Sequence, residues 1–166
     1  MQGQLQSTTE LAWRSAALFR KSGQPDSAAQ LLERASKAIS ERQPENSVLM
    51  LEKAAETVET ENRPIQAASY VNKLLRIALE SGDRDEAIEK ARKLVELYQE
   101  AGHKPSTGRN VLGLVILLLD IHRTGEAEVV AREFGNNCSE EQNVLIEDLL
   151  DAYDQNDMSK VRCGCK

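Results

Sequence analysis

The sequence predicts an all-α protein, a right-handed superhelical solenoid of antiparallel helix hairpins of the tetratricopeptide-like kind. Three observations carry this expectation. Apolar residues recur at steps of three and four along most of the chain, the period of a helix with one buried face. Proline and glycine fall between the periodic stretches rather than inside them. A small residue returns at Ala28, Ser47, Ala67 and Ala87, at intervals of 19, 20 and 20, and again at Ala127, with Thr107 and Gly108 midway.

Eight helices are expected, over residues 5–21, 25–40, 45–60, 65–81, 84–101, 107–122, 125–134 and 140–155. The second aligns Ala28, Leu31, Leu32, Ala35, Ala38 and Ile39 on one face. The third aligns Val48, Leu51, Ala54, Ala55 and Val58, the fourth Ala67, Val71, Leu74, Leu75 and Ala78, and the fifth Ala87, Ala91, Leu94, Tyr98 and Ala101. Pro25, Pro44 and Pro64 stand where a first turn begins and the missing N–H costs nothing. Gly82, Gly102 and Gly135 stand as C-terminal stops, and Asp83 with Glu86 and Ser139 with Gln142 read as capping boxes. The sixth helix, from Val111 to Leu119, is apolar on all sides. It should lie among other helices, and Leu117→Asp should then unfold the C-terminal half.

A helix every twenty residues is a hairpin every forty, the mark of a helical-repeat array. That period exceeds the roughly 34 residues of a standard tetratricopeptide unit. The repeat domain is expected over 1–157, followed by a disordered tail over 158–166. The first helix carries Leu11, Trp13, Ala16, Ala17, Leu18 and Phe19, which is too apolar for the polar outer face of a terminal repeat.

Composition narrows the function. The chain has 166 residues, 40% hydrophobic and 4% aromatic, with a net charge of −6. Helix formers dominate, and the acidic balance argues against nucleic acid as a partner. Three cysteines, Cys138, Cys163 and Cys165, fit a reducing compartment. The polar N-terminus has no secretory pattern, so Asn137-Cys138-Ser139 should not meet the glycosylation machinery. The run Val111 to Leu119 is too short to span a membrane.

No grouping of side chains suggests catalysis, so the chain is not expected to be an enzyme. The nine glycines are scattered, with no phosphate-binding loop. His103 and His122, the only histidines, lack companion ligands for a zinc site. Neither a metal nor a cofactor is expected. Cys163-x-Cys165 ends in Lys166, which spoils a simple prenylation signal.

Several stretches together carry a resemblance. They are Ser22-Gly23-Gln24-Pro25-Asp26-Ser27-Ala28-Ala29 with Leu32-Glu33-Arg34-Ala35, then Arg84-Asp85-Glu86-Ala87, Ile121-His122-Arg123-Thr124-Gly125-Glu126-Ala127-Glu128, and the run from Glu147 to Asp157. In order and spacing the chain resembles the gamma-type soluble NSF attachment proteins, roughly from Ala17 to Asp157.

The resemblance implies a cytoplasmic adaptor, peripheral to membranes of the secretory and endosomal pathway. It would lie along SNARE helix bundles of the syntaxin type and link them to the hexameric NSF ATPase for disassembly. The family's earlier helices and its Leu-rich end have no counterpart here, so a form truncated at both ends is expected. Arg34, Lys37, Lys73, Arg76, Arg92 and Lys93 recur on successive helices and, under this resemblance, would face the acidic bundle. The alternative is a tetratricopeptide-like scaffold for another helical or peptide partner, with those cations on ordinary solvated faces beside Glu partners.

Overall fold

A computed structural model describes residues 2–154 of the chain, with side chains from residue 9 onward. Residues 158–166, with Cys163 and Cys165, lie outside the described residues. Every regular element described is helical: α1 (Gln2–Lys21), α2 (Pro25–Ile39), α3 (Pro44–Glu59), α4 (Pro64–Ser81), α5 (Arg84–Glu100), α6 (Lys104–Asp120), α7 (Thr124–Phe134), a 3-10 turn (Gly135–Asn137) and α8 (Glu140–Asp154). They fall into two compact units, Met1–Ile77 and Ala78–Lys166. In the first, α2 packs against both α1 and α3. In the second, α6 is central and packs against α5, α7 and α8.

The connections are built alike. Gly23, Asn62, Gly82, Gly102 and His122 hold φ of 73°, 56°, 79°, 66° and 61°. The next N–H in each case reaches back five residues: Gln24 to the Phe19 carbonyl at 2.9 Å, Arg63 to Val58 at 3.2 Å, Asp83 to Ala78 at 3.0 Å, His103 to Tyr98 at 2.9 Å and Arg123 to Leu118 at 2.9 Å. This left-handed cap ends each helix and satisfies carbonyls that would otherwise be orphaned. The α2–α3 turn differs. There Gln43 N–H bonds the Ile39 carbonyl at 2.7 Å, and no residue of the turn has positive φ.

The repeated small residue lies at the fourth position of each helix from α2 to α7. Ala28, Ser47, Ala67, Ala87, Thr107 and Ala127 are 0, 3, 0, 0, 1 and 0% exposed. At such a position neighbouring backbones come close, and a polar small residue must find a partner there. Ser47 does: its hydroxyl donates to the Ser36 carbonyl at 3.1 Å, and the two hydroxyls lie 2.8 Å apart. Beside Thr107, a Cβ on Gly108 would meet the Gln142 side chain and come within 3.2 Å of Cys138 Cα.

Some sequence expectations shift. α6 starts at Lys104, not residue 107, because Pro105 sits inside the first turn, where proline is tolerated. Its burial is one-sided: Val111, Leu114, Val115, Leu118 and Leu119 are buried, Leu112 and Leu117 half-buried, and Ile116 exposed. Ala38 is exposed. Gly135 does not stop α7 with a left-handed residue; its φ is −53° and the chain continues into the 3-10 turn. Ser139 and Gln142 form the expected reciprocal box, at 2.9 and 3.2 Å. At α5, Asp83 accepts from Glu86 N–H at 3.1 Å, but its own N–H is used by the preceding cap. The Glu86 carboxylate turns instead to Lys90 at 2.7 Å.

Two stability effects follow from this geometry. Asn62→Gly should raise the melting midpoint, because glycine holds a positive φ with no Cβ penalty; the gain is about 0.5–1 kcal/mol. Leu118→Ala should cost about 2–5 kcal/mol in denaturant unfolding. Leu117→Ala should cost clearly less, since Leu117 keeps contact with solvent.

Candidate partner-binding surface

The first unit places four of the six expected cations together. Arg34 and Lys73 each occupy the tenth position of their helices, α2 and α4, and Lys37 and Arg76 the thirteenth. One turn separates the two positions, so each helix presents a pair of cations on one side. α2 and α4 are joined there directly, by the Lys73–Glu33 ion pair. Arg34, Lys37 and Arg76 are exposed, and Lys73 is half-buried beneath its partner. Lys73 Nζ also sits 5.1 Å from the centre of the Tyr70 ring, a cation–π distance. Arg34 and Lys37 make no ion pair with a described residue.

In the second unit, Arg92 pairs with Glu126 at 2.9 Å, and Lys93 lies 4.0 Å from Glu96. Lys93 again takes the tenth position of its helix, as does Lys53 in α3. Lys53 pairs with Glu56 at 2.6 Å. The sequence reading passed over it, although the tenth-position register would have found it.

Sequence reasoning also missed a second pattern, the straps between alternate helices. Arg63, just before α4, grips the Asp26 carboxylate of α2 at 2.6 Å, and Gln66 of α4 donates to the same carboxylate at 3.2 Å. Glu33 and Lys73 repeat the contact two turns later. The second unit has the same device, Arg123 to Asp85 at 2.6 Å and Arg92 to Glu126, beside an Arg84–Asp120 pair at 3.1 Å that joins the consecutive helices α5 and α6. The partners are 34 to 40 residues apart, close to one hairpin repeat. A search for opposite charges at that offset would have shown them. Each exposed pair contributes little alone, about 0–1 kcal/mol.

The histidines and Cys138 take structural places. Among the described residues, no three or more His, Cys, Asp or Glu side chains gather to hold a metal. His103 caps α6, its ring Nδ1 facing the Ser106 N–H at 3.4 Å, and His122 contacts the Tyr153 hydroxyl of α8. Burial pushes the Cys138 thiol up, away from the reactive thiolate. A cleft of about 420 Å³ between α1 and α3 is lined by Ala17, Arg20, Lys21, Pro25, Thr57, Thr60 and Glu61, with no nucleophile–base pair. No described helix is long and apolar enough to cross a membrane.

The family model described as "Soluble NSF attachment protein, SNAP" matches residues 1–114. The chain belongs to the soluble NSF attachment protein family. The family, like the helical-repeat architecture, is a non-enzymatic scaffold type. Among solved structures, the attachment protein is similar to a protein from Podosopora anserina described as a kinesin light chain with nearly identical TPR-like repeats. The two are 16% identical, the match covers 97% of this chain and 94% of the other, and the TM-score is 0.40.

The Arg63 guanidinium beside Asp26, followed by Gln66, holds that carboxyl below its ordinary value of 3.8. A depressed folded value stabilises above the unfolded range and is lost as pH falls through it. Asp26→Asn should therefore flatten the acid limb of the melting-midpoint profile below about pH 4. The same substitution should leave the midpoint's neutral plateau only slightly lower, because the pair is exposed.

Proposed function

We propose that this attachment protein is of the gamma type, and that it binds SNARE helix bundles and links them to the NSF ATPase in intracellular vesicle trafficking. Binding would use the cationic α2–α4 face of the first unit, and Arg92 and Lys93 of α5 are separate candidate contacts within the second. The family match over residues 1–114 carries the reading. The face adds a physical reason. It offers four cations from two adjoining helices in one register, and an acidic helix bundle presents the complementary charge along its length. Such complementarity sets orientation and speeds encounter more than it deepens affinity.

Binding of immobilised, assembled SNARE bundle tests the proposal, with and without the ATPase added. Wild-type chain should be retained and should bring the ATPase with it. The Arg34→Glu/Lys37→Glu variant should bind roughly fivefold to tenfold more weakly, about 1–1.4 kcal/mol, and the loss should shrink at high salt. Retention of neither bundle nor ATPase by a chain with native helicity would contradict the adaptor role. Equal binding by the variant would contradict the assignment of the face.

A further inference from the structure

We propose that Thr60 is a phosphorylation site, and that Arg20 and Lys21 receive the phosphate and so tie α3 to α1. The SNARE reading plays no part in it.

The ion pairs between alternate helices set the pattern. Asp26 with Arg63 and Glu33 with Lys73 tie α2 to α4, and Asp85 with Arg123 and Arg92 with Glu126 tie α5 to α7. The partners stand 34 to 40 residues apart. Between α1 and α3 the Thr9 hydroxyl donates to the Gln43 side-chain oxygen at 3.1 Å, a neutral contact just before α3 begins. Near the C-terminal ends of the same two helices lies the cleft of about 420 Å³, which Arg20 and Lys21 of α1 share with Thr57, Thr60 and Glu61. Thr60 follows Arg20 by 40 residues and Lys21 by 39, within the range of the ionic ties. The cations of a tie are in place, and a hydroxyl stands where its acid would be.

Thr60 is exposed and caps the C-terminus of α3. Its hydroxyl donates to the Thr57 carbonyl at 2.9 Å, a local contact that opening of the last turn releases. Glu56, Glu59 and Glu61 flank it in sequence, so an acid-directed protein kinase is the class of enzyme that would act. The Thr60 oxygen would bond to the γ-phosphorus of the kinase's ATP as the bond from that phosphorus to ADP breaks, and the hydroxyl proton would pass to the kinase. The product carries about −1.5 to −2 charge at pH 7 and three strong acceptor oxygens. At a helix C-terminus, and beside Glu61, that charge is unfavourable unless cations meet it. Arg63 is already committed to Asp26. Arg20 and Lys21 are exposed and make no ion pair with a described residue. The arginine offers paired donors to a phosphate and the lysine a compact charge. A phosphate drawn into the cleft would thus join α1 and α3 at the end opposite the Thr9–Gln43 contact.

Treatment of the full chain with an acid-directed kinase and ATP tests the site, with phosphate located by mass spectrometry and Thr60→Val as control. Thr60 should be modified in the folded chain; a Thr60 left unmodified there overturns the site. Phosphorus-31 NMR of the phosphorylated chain across pH tests the tie. The second ionisation of the phosphate should fall about half a pH unit below its value in the urea-unfolded chain, because two cations favour the dianion. The Arg20→Ala/Lys21→Ala variant should return it to the unfolded value, and high salt should shrink the difference. Both positions are exposed, and unchanged circular dichroism shows that the variant folds. A phosphate that ionises alike in wild type and variant, or alike in the folded and unfolded wild type, overturns the tie.

Discussion

The arrangement within each unit depends on how closely successive helices can approach at one point near their N-termini. That point falls on the fourth residue of each helix from α2 to α7, and the six residues there are Ala, Ser or Thr, all at most 3% exposed. A side chain of ordinary size would hold the backbones apart and open voids along the whole contact, and a packed interior tolerates few voids. The identity of this position also fixes the axial register of each helix. With the register fixed, the cations of α2 and α4 take the same tenth and thirteenth positions, and the Lys73–Glu33 pair links the two helices at that level. The candidate surface is thus a consequence of the small-residue contact rather than a separate design.

A second layer of interaction works across the repeat. Alternate helices are strapped by ion pairs that span about one hairpin in sequence, in both units. These straps are exposed and individually weak, so they tune the stacking more than they create it. They also commit Lys73 and Arg92 to intramolecular partners. A binding partner must compete with Glu33 and Glu126 for those two cations, whereas Arg34 and Lys37 are available at once.

Much of this was legible in the sequence. Pro25, Pro44 and Pro64 marked helix starts because only a first turn tolerates a missing N–H. Gly82 and Gly102 marked ends because glycine holds positive φ without strain. Less legible were features decided by neighbours. Ala38 and Leu117 fit the helical period, yet the turn beyond one and the open side of α6 leave them exposed or half-buried. Asn62 and His122 do the work of glycine, which their residue types only weakly announce. Glu86 had the right spacing for a capping box, but the preceding cap had already used the Asp83 N–H. The six candidate cations showed a recurrence, and only the Lys73–Glu33 ion pair showed that α2 and α4 are linked where four of them lie.

If a single buried small residue per helix sets the packing, thermal unfolding of Ala127→Leu exposes it. Ala127 is fully buried in α7, whereas Ala38 is exposed near the end of α2, so Ala38→Leu serves as the matched control. Ala127→Leu should lose about 1–3 kcal/mol through overpacking, while Ala38→Leu should stay near the wild type. Equal melting of the two variants would contradict it, since the helices would then be free to move apart at the position that is said to hold them together.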